Sequence, residues 1–117
     1  MPITTVSLDQ SGAVPVVRVR GELDLATIES FKAETASAAA LERGAVVISL
    51  VDATYCDSAT VHALMLFRSA LEGDGQKLLL VLPDRGTTRR VLDMVGMTKT
   101  MATYRTVSEA LIAAKGS

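Results

Sequence analysis

The sequence predicts an α/β fold, a single domain over residues 1–117 in which a mixed, mainly parallel β-sheet is packed by about four helices. Three observations lead there. A length of 117 residues suits one continuous core and is short for two. Apolar residues make up 49% of the chain and aromatic ones 3%, so the core must be built from Val, Leu, Ile, Ala and Met. Short β-branched runs alternate with stretches of helical periodicity, as in strands joined by crossover helices.

The elements follow in order. Residues 3–9 and 14–20, anchored by Val6, Leu8, Val14, Val17 and Val19, flank Ser11-Gly12, and the turn chemistry between two apolar strands predicts a β-hairpin. From Leu25 to about Arg43, Leu25, Ile28, Phe31, Ala38 and Leu41 recur at helical intervals, with Asp24 placed as N-cap and Gly44 as the stop. Ala45 to Val51 is almost wholly apolar, as expected of a central strand covered on both faces, with Val46 to Leu50 in the interior. Asp52 to Cys56 then reads as a connection. A second helix spans Ser58 to Leu71, broken by Gly73 and Gly75, and Lys77 to Leu82 is a buried strand stopped by Pro83. Thr87 to Val95 forms a third helix ended by Gly96, Thr100 to Tyr104 a short strand, and Thr106 to Ala114 a last helix whose Thr106 and Glu109 fit a capping box. The predicted order is β-β-α-β-α-β-α-β-α.

Charge and composition exclude several roles. Twelve basic against thirteen acidic side chains leave a net charge of −1, without the cationic surplus that a phosphate backbone or an anionic membrane surface would attract. Nucleic acid is therefore not an expected partner. No apolar run approaches the length of a membrane helix, and no basic stretch with an apolar segment opens the chain, so direct membrane insertion is not expected and a cytoplasmic protein is. One cysteine, Cys56, and one histidine, His62, cannot supply a zinc site, and no phosphate-cradling glycine motif is present, so no metal or cofactor is expected.

Three groups invite a chemical reading. Cys56 and His62 flank the start of the second helix, but no oxyanion motif or orienting acid accompanies them, and an apolar cysteine before a helix is ordinarily packing. Glu22 and Asp24 could form an acid/base pair, against which Asp24 before a helix is ordinarily a cap. Met94, Met97 and Met101 read as core filling with one exposed contact. The more informative segment is Tyr55-Cys56-Asp57-Ser58-Ala59-Thr60, where a buried strand hands over to a helix at the carboxyl edge of an α/β sheet, the edge that carries sites in such folds. By themselves Asp57 and Ser58 are also ordinary N-cap residues. The helix that follows carries two apolar stripes: Val61, Leu64, Met65 and Leu71 on one, Ala63, Leu66, Phe67 and Ala70 on the other. Either it is deeply buried between sheet and neighbouring helix, or one stripe meets a partner.

Four segments carry a resemblance. Gly21-Glu22-Leu23-Asp24, Val46 through Ser58, Arg90-Val91-Leu92 through Gly96-Met97, and Ser108-Glu109-Ala110-Leu111 together resemble the STAS family of the anti-sigma factor antagonist (anti-anti-sigma) type, over nearly the whole chain. The resemblance implies a non-enzymatic partner switch in transcription regulation. The unphosphorylated domain would bind an anti-sigma factor that is also a serine kinase, and phosphorylation would dissolve the complex. It implies Ser58 as phosphoacceptor, with Thr60 as second choice, and Glu22, Asp24, Asp57, Ser58, Ala59, Thr60 and His62 as partner-binding residues. The chain departs from the family pattern at Ala59-Thr60, where a Ser or Thr and then a Gly are usual, at Ser49, often Asp, and at Cys56, often aliphatic. Other members imply an alternative, a cytoplasmic STAS accessory subunit of a membrane transporter such as a lipid ABC system. A ligand-sensing domain is a third possibility, for which the sequence offers no evident pocket.

Overall fold

A computed structural model of the chain describes residues 4–115. Five strands and five helices run in the order β1 (Thr5–Asp9), β2 (Val16–Leu23), α1 (Ile28–Ala40), β3 (Ala45–Cys56), α2 (Ser58–Gly73), β4 (Lys77–Val81), α3 (Thr87–Met94), α4 (Met97–Thr100), β5 (Ala102–Tyr104) and α5 (Val107–Lys115). The strands lie in the sheet in the same order as in the chain. β1 and β2 form the expected hairpin, antiparallel with Asp9 opposite Val16, while β2–β3, β3–β4 and β4–β5 pair in parallel. The hairpin strand at one edge makes the sheet mixed rather than mainly parallel. Ile3, which the sequence assigns to the first strand, lies outside the described residues, as do the other terminal positions of the expected 1–117 domain.

The period-2 alternation of the central strand decides where the core sits. Val46, Ile48 and Leu50 point into a large cluster with Val17, Val19, Phe31, Leu64, Leu80, Leu92 and Met97, so α1 to α4 cover that face. Ala45 and Val47 point the other way, to a smaller cluster with Val16, Leu79, Val81 and Ala110, covered by α5 alone. Val46 to Leu50 are buried throughout, as the sequence predicts of an interior strand.

Several boundaries move, each for a visible reason. The first helix does not begin at Leu25 with Asp24 as its cap. The Asp24 carbonyl instead receives the amides of Thr27 and Ile28, its carboxylate accepts from Ala26 N at 3.0 Å, and this turn delays the helix to Ile28 with Thr27 at the N-cap. Leu25 is left 76% exposed. At the other end the chain leaves the helix at Leu41 and turns at Glu42, which has φ 51°, before Gly44 is reached. The second helix runs on through Gly73 before Gly75, at φ 75°, reverses the chain. Near the C-terminus, Gly96 at φ 76° separates α3 from a further single turn, α4, which raises the helix count from about four to five and delays β5 to Ala102. The last helix has the expected capping bond from Glu109 N to Thr106 Oγ1, 3.0 Å, while the Glu109 carboxylate reaches back to Arg105 N. Met97 and Met101 fill the core and Met94 is exposed.

Candidate functional site

The largest departure from the sequence reading positions the site. β3 does not stop at Val51 but continues to Cys56, because β2 continues beside it: Gly21 lies opposite Ala53, Glu22 opposite Tyr55, and Leu23 opposite Cys56. β4 pairs β3 as far as Ser49 and β1 pairs β2 as far as Arg20, which lies opposite Asp52, so from Gly21 and Ala53 onward β2 and β3 run on as a two-stranded ribbon. Register shifts between Arg18 and Arg20 and between Gly21 and Glu22 bend it, and Gly21 sits at the second shift with φ 96°, a backbone setting that a side chain would strain. The outer part of β3 has the burial pattern of a ribbon, with Ala53 and Cys56 inside and Asp52, Thr54 and Tyr55 outside.

At the ribbon's end Asp57 caps α2. Its backbone is extended, and its Oδ1 accepts from Thr60 N at 3.0 Å and from Thr60 Oγ1 at 3.2 Å, so the carboxylate satisfies a free donor of the first turn and lies at the positive end of the helix dipole. Ser58 is the first helical residue and is exposed, Ala59 is half-buried, and Thr60 is fully buried. The Thr60 hydroxyl is also within 3.1 Å of the Leu23 carbonyl at the end of β2. His62 is exposed one turn beyond Ser58, which puts the two on the same side of α2.

The ribbon therefore brings together residues that are more than thirty positions apart in sequence. Glu22 is exposed and Asp24 half-buried at the corner where β2 turns into α1, and the pairing of Leu23 with Cys56 sets that corner against Asp57 and Ser58. Among the described residues Glu22, Asp24 and Asp57 enter no ion pair, and Asp24 and Asp57 accept hydrogen bonds from backbone amides instead. Part of this surface is apolar, as one of the two readings of the α2 stripes expects, and Leu25, which the sequence assigns to the first helix, adds to it. Leu25 follows Asp24 outward, and on α2 Met65 is 55% and Leu66 59% exposed, so the helix is not deeply buried all round. Leu66 borders a groove of about 280 Å³ between α1 and α2, lined with Phe31, Thr35, Ala63 and Phe67. The second apolar stripe was the signal in the sequence; Leu25 carried none, since its spacing fits a helix that starts later than expected.

The Cys56–His62 pair is not assembled as a nucleophile and base. Cys56 is buried at the end of β3, and burial, with the Asp57 charge adding to it, pushes its thiol up to about 11, so it stays protonated at neutral pH. His62 stands in solvent. Among the described residues no three His, Cys, Asp or Glu side chains are grouped as a metal site, and no helix is long and apolar enough to cross a membrane.

The model of the STAS domain family matches residues 5–110, and the chain belongs to that family. It is similar to an anti-sigma factor antagonist from Mycobacterium paratuberculosis, with 27% identity, a TM-score of 0.85, and 97% of this chain and 95% of that one covered. The anti-sigma factor antagonist SpoIIAA shares the fold in its unphosphorylated form, with 19% identity, a TM-score of 0.69, and 93% and 96% of the two chains covered. The Bacillus cell fate determinant SpoIIAA in its phosphorylated form does so with 22% identity, a TM-score of 0.71, and 93% and 98% covered. Among curated protein sequences, none matches.

Proposed function

We propose that this chain is an anti-sigma factor antagonist: it binds an anti-sigma factor that is also a serine kinase, and phosphorylation of Ser58 releases it. The observation that carries the reading is the setting of Ser58, an exposed hydroxyl on the first turn of a buried-strand-to-helix junction in a chain that aligns over 97% of its length with an anti-sigma factor antagonist. That SpoIIAA, of the same fold, exists in unphosphorylated and phosphorylated forms supports a switch by modification. Thr60 is the weaker candidate for the acceptor, because its hydroxyl is buried and hydrogen-bonded and would reach a kinase only after the first turn of α2 had opened.

The chain is substrate and ligand, without turnover of its own; the protonated, buried Cys56 supports this. A phosphoryl group on Ser58 adds about −1.5 to −2 charges at neutral pH. The helix dipole softens that charge within the free domain. At an interface it meets Glu22, Asp24 and Asp57, none of them ion-paired, and the partner groups that face them. The switch works in the cytoplasm, where sigma factor and kinase meet.

The test uses the purified chain and each purified small serine-kinase anti-sigma factor encoded in the same genome. One of them is expected to bind the wild type, to label Ser58 with ATP, and to bind Ser58→Ala without labelling it. Ser58→Asp should bind more weakly by roughly 2 to 5 kcal/mol, a loss of well over tenfold. If no such kinase binds, or if the aspartate variant binds as tightly as wild type, the reading is wrong.

A further inference from the structure

Ser58 lies on α2 and the acids Glu22 and Asp24 lie on the corner between β2 and α1, so one docking surface requires that the two elements be held in register. The hydrogen bonds around that corner show how this is done. From the α1 side, Thr27 Oγ1 is 3.1 Å from the Glu22 carbonyl and accepts Asp24 N at 3.0 Å. From the N-terminal side, Thr4 Oγ1 donates to the same Glu22 carbonyl at 2.7 Å. From the α2 side there is Thr60: its Oγ1 lies 3.1 Å from the Leu23 carbonyl and 3.2 Å from Asp57 Oδ1, while its own amide is capped by that same oxygen at 3.0 Å. Among the described residues, this is the one side-chain hydrogen bond that crosses from the Ser58 helix to the corner.

We propose that Thr60 is a positioning residue: its buried hydroxyl ties the end of β2 to the first turn of α2 and so holds Glu22, Asp24 and Leu25 against Ser58 as one surface. The proposal rests on the reading of Ser58 as the centre of a kinase-docking surface. The placement is specific. A hydroxyl with no access to water must find its partners inside the protein, and the two within reach belong to the two elements being joined. Asp57, which caps the helix with the same oxygen that faces the Thr60 hydroxyl, is held by the same contact. Loss of the hydroxyl leaves the Leu23 carbonyl without this donor and frees the corner to move relative to α2, while the apolar methyl packing that a valine reproduces stays in place.

Two measurements on Thr60→Val and Thr60→Ser decide it, with Thr60→Ala as a second hydroxyl-free variant if the valine does not fold. In the free chain, amide hydrogen exchange over Asp24 to Ile28 should quicken about three- to tenfold in Thr60→Val, with exchange in β4 unchanged, and Thr60→Ser should restore it. With the kinase that labels Ser58 in the wild type, Thr60→Val should raise KM by about the same factor and leave kcat near its wild-type value, again with rescue by serine. Unchanged exchange at the corner would overturn the tie itself. Faster exchange with an unchanged KM would overturn its role in docking. If no kinase acts on the wild type, the functional reading falls and the docking role with it, a result distinct from either of these because the exchange experiment needs no partner.

Discussion

The two halves of β3 are one continuous strand built by two different means. From Ala45 to Leu50 every residue is buried, with β2 on one side, β4 on the other as far as Ser49, and side chains packed into a cluster on each face. From Val51 to Cys56 the strand has lost β4, exposes four of its six residues, the apolar Val51 and the polar Asp52, Thr54 and Tyr55, and is tied by hydroxyls. Thr88 at the start of α3 donates to the Ala53 carbonyl at 2.8 Å, and Thr60 at the start of α2 reaches the Leu23 carbonyl on the neighbouring strand. The first half is held by packing on both faces; the second keeps Ala53 and Cys56 in the core and adds individual polar bonds. An exposed residue such as Ser58 cannot be surrounded by apolar packing, and hydroxyl-to-carbonyl ties fix the backbone beside it without covering it.

The comparison is broken most severely in the packed half. Ile48 is fully buried, opposite Val17 on one side and Leu80 on the other. Ile48→Ala should cost about 2 to 5 kcal/mol through lost burial and the cavity left behind, read as a lowered midpoint in denaturant-induced unfolding. A loss below about 1 kcal/mol would mean that the middle strand does not hold the core as described.

A smaller effect comes from the junction of the outer half with α2, where Cys56 meets Asp57. Its thiol is raised from 9.0 to about 11 by burial first and the Asp57 charge second. The folded state therefore holds this proton more tightly than the unfolded state, and stability falls as the proton is lost from the unfolded chain first. The contribution is fully present below about pH 9 and lost by about pH 11, on the order of 2 to 3 kcal/mol across that window. Cys56→Ala or Cys56→Val should flatten the alkaline limb of stability against pH, and iodoacetamide should label the wild type at pH 8 at the rate of global unfolding. Rapid labelling of the native protein would show that the strand end is open.

What the sequence discloses divides along the same line. The packed half was legible, because Ala45 to Val51 and Lys77 to Leu82 are apolar runs whose only stable place is under helices on both faces. The outer half read as a connection, because Asp52, Thr54 and Tyr55 interrupt the apolar run, and nothing local to them says that β2 will run alongside. The start of α1 was misplaced for a related reason: Asp24 is a good cap residue at a credible position, but its carboxylate and carbonyl close a turn instead. Asp57 and Ser58 were visible as a strand-to-helix junction, and it took the resemblance to single out Ser58. The partners of Thr27, Thr60 and Thr88 are carbonyls 5, 37 and 35 residues away, and a threonine in the first turn of a helix does not by itself disclose which carbonyl it meets.

The finest test of the comparison is at Thr88, a buried residue whose hydroxyl serves the Ala53 carbonyl. Its neighbour Thr87 is exposed and makes no comparable bond, so the pair offers the same substitution in two settings one residue apart. Thr88→Val preserves the shape of the side chain and removes the donor, leaving a carbonyl at the edge that β4 has already left. The cost should be about 1 to 3 kcal/mol, whereas Thr87→Val should stay within about 0.5 kcal/mol of wild type. The distribution of the effect matters more than its size. If hydroxyl ties hold the ribbon, amide exchange in Thr88→Val should quicken from Ala53 to Cys56 and remain slow from Val46 to Leu50, so that one strand loosens in one half. If exchange quickens equally along the whole of β3, the strand is a single cooperative unit, and the division between its packed and tied halves is wrong.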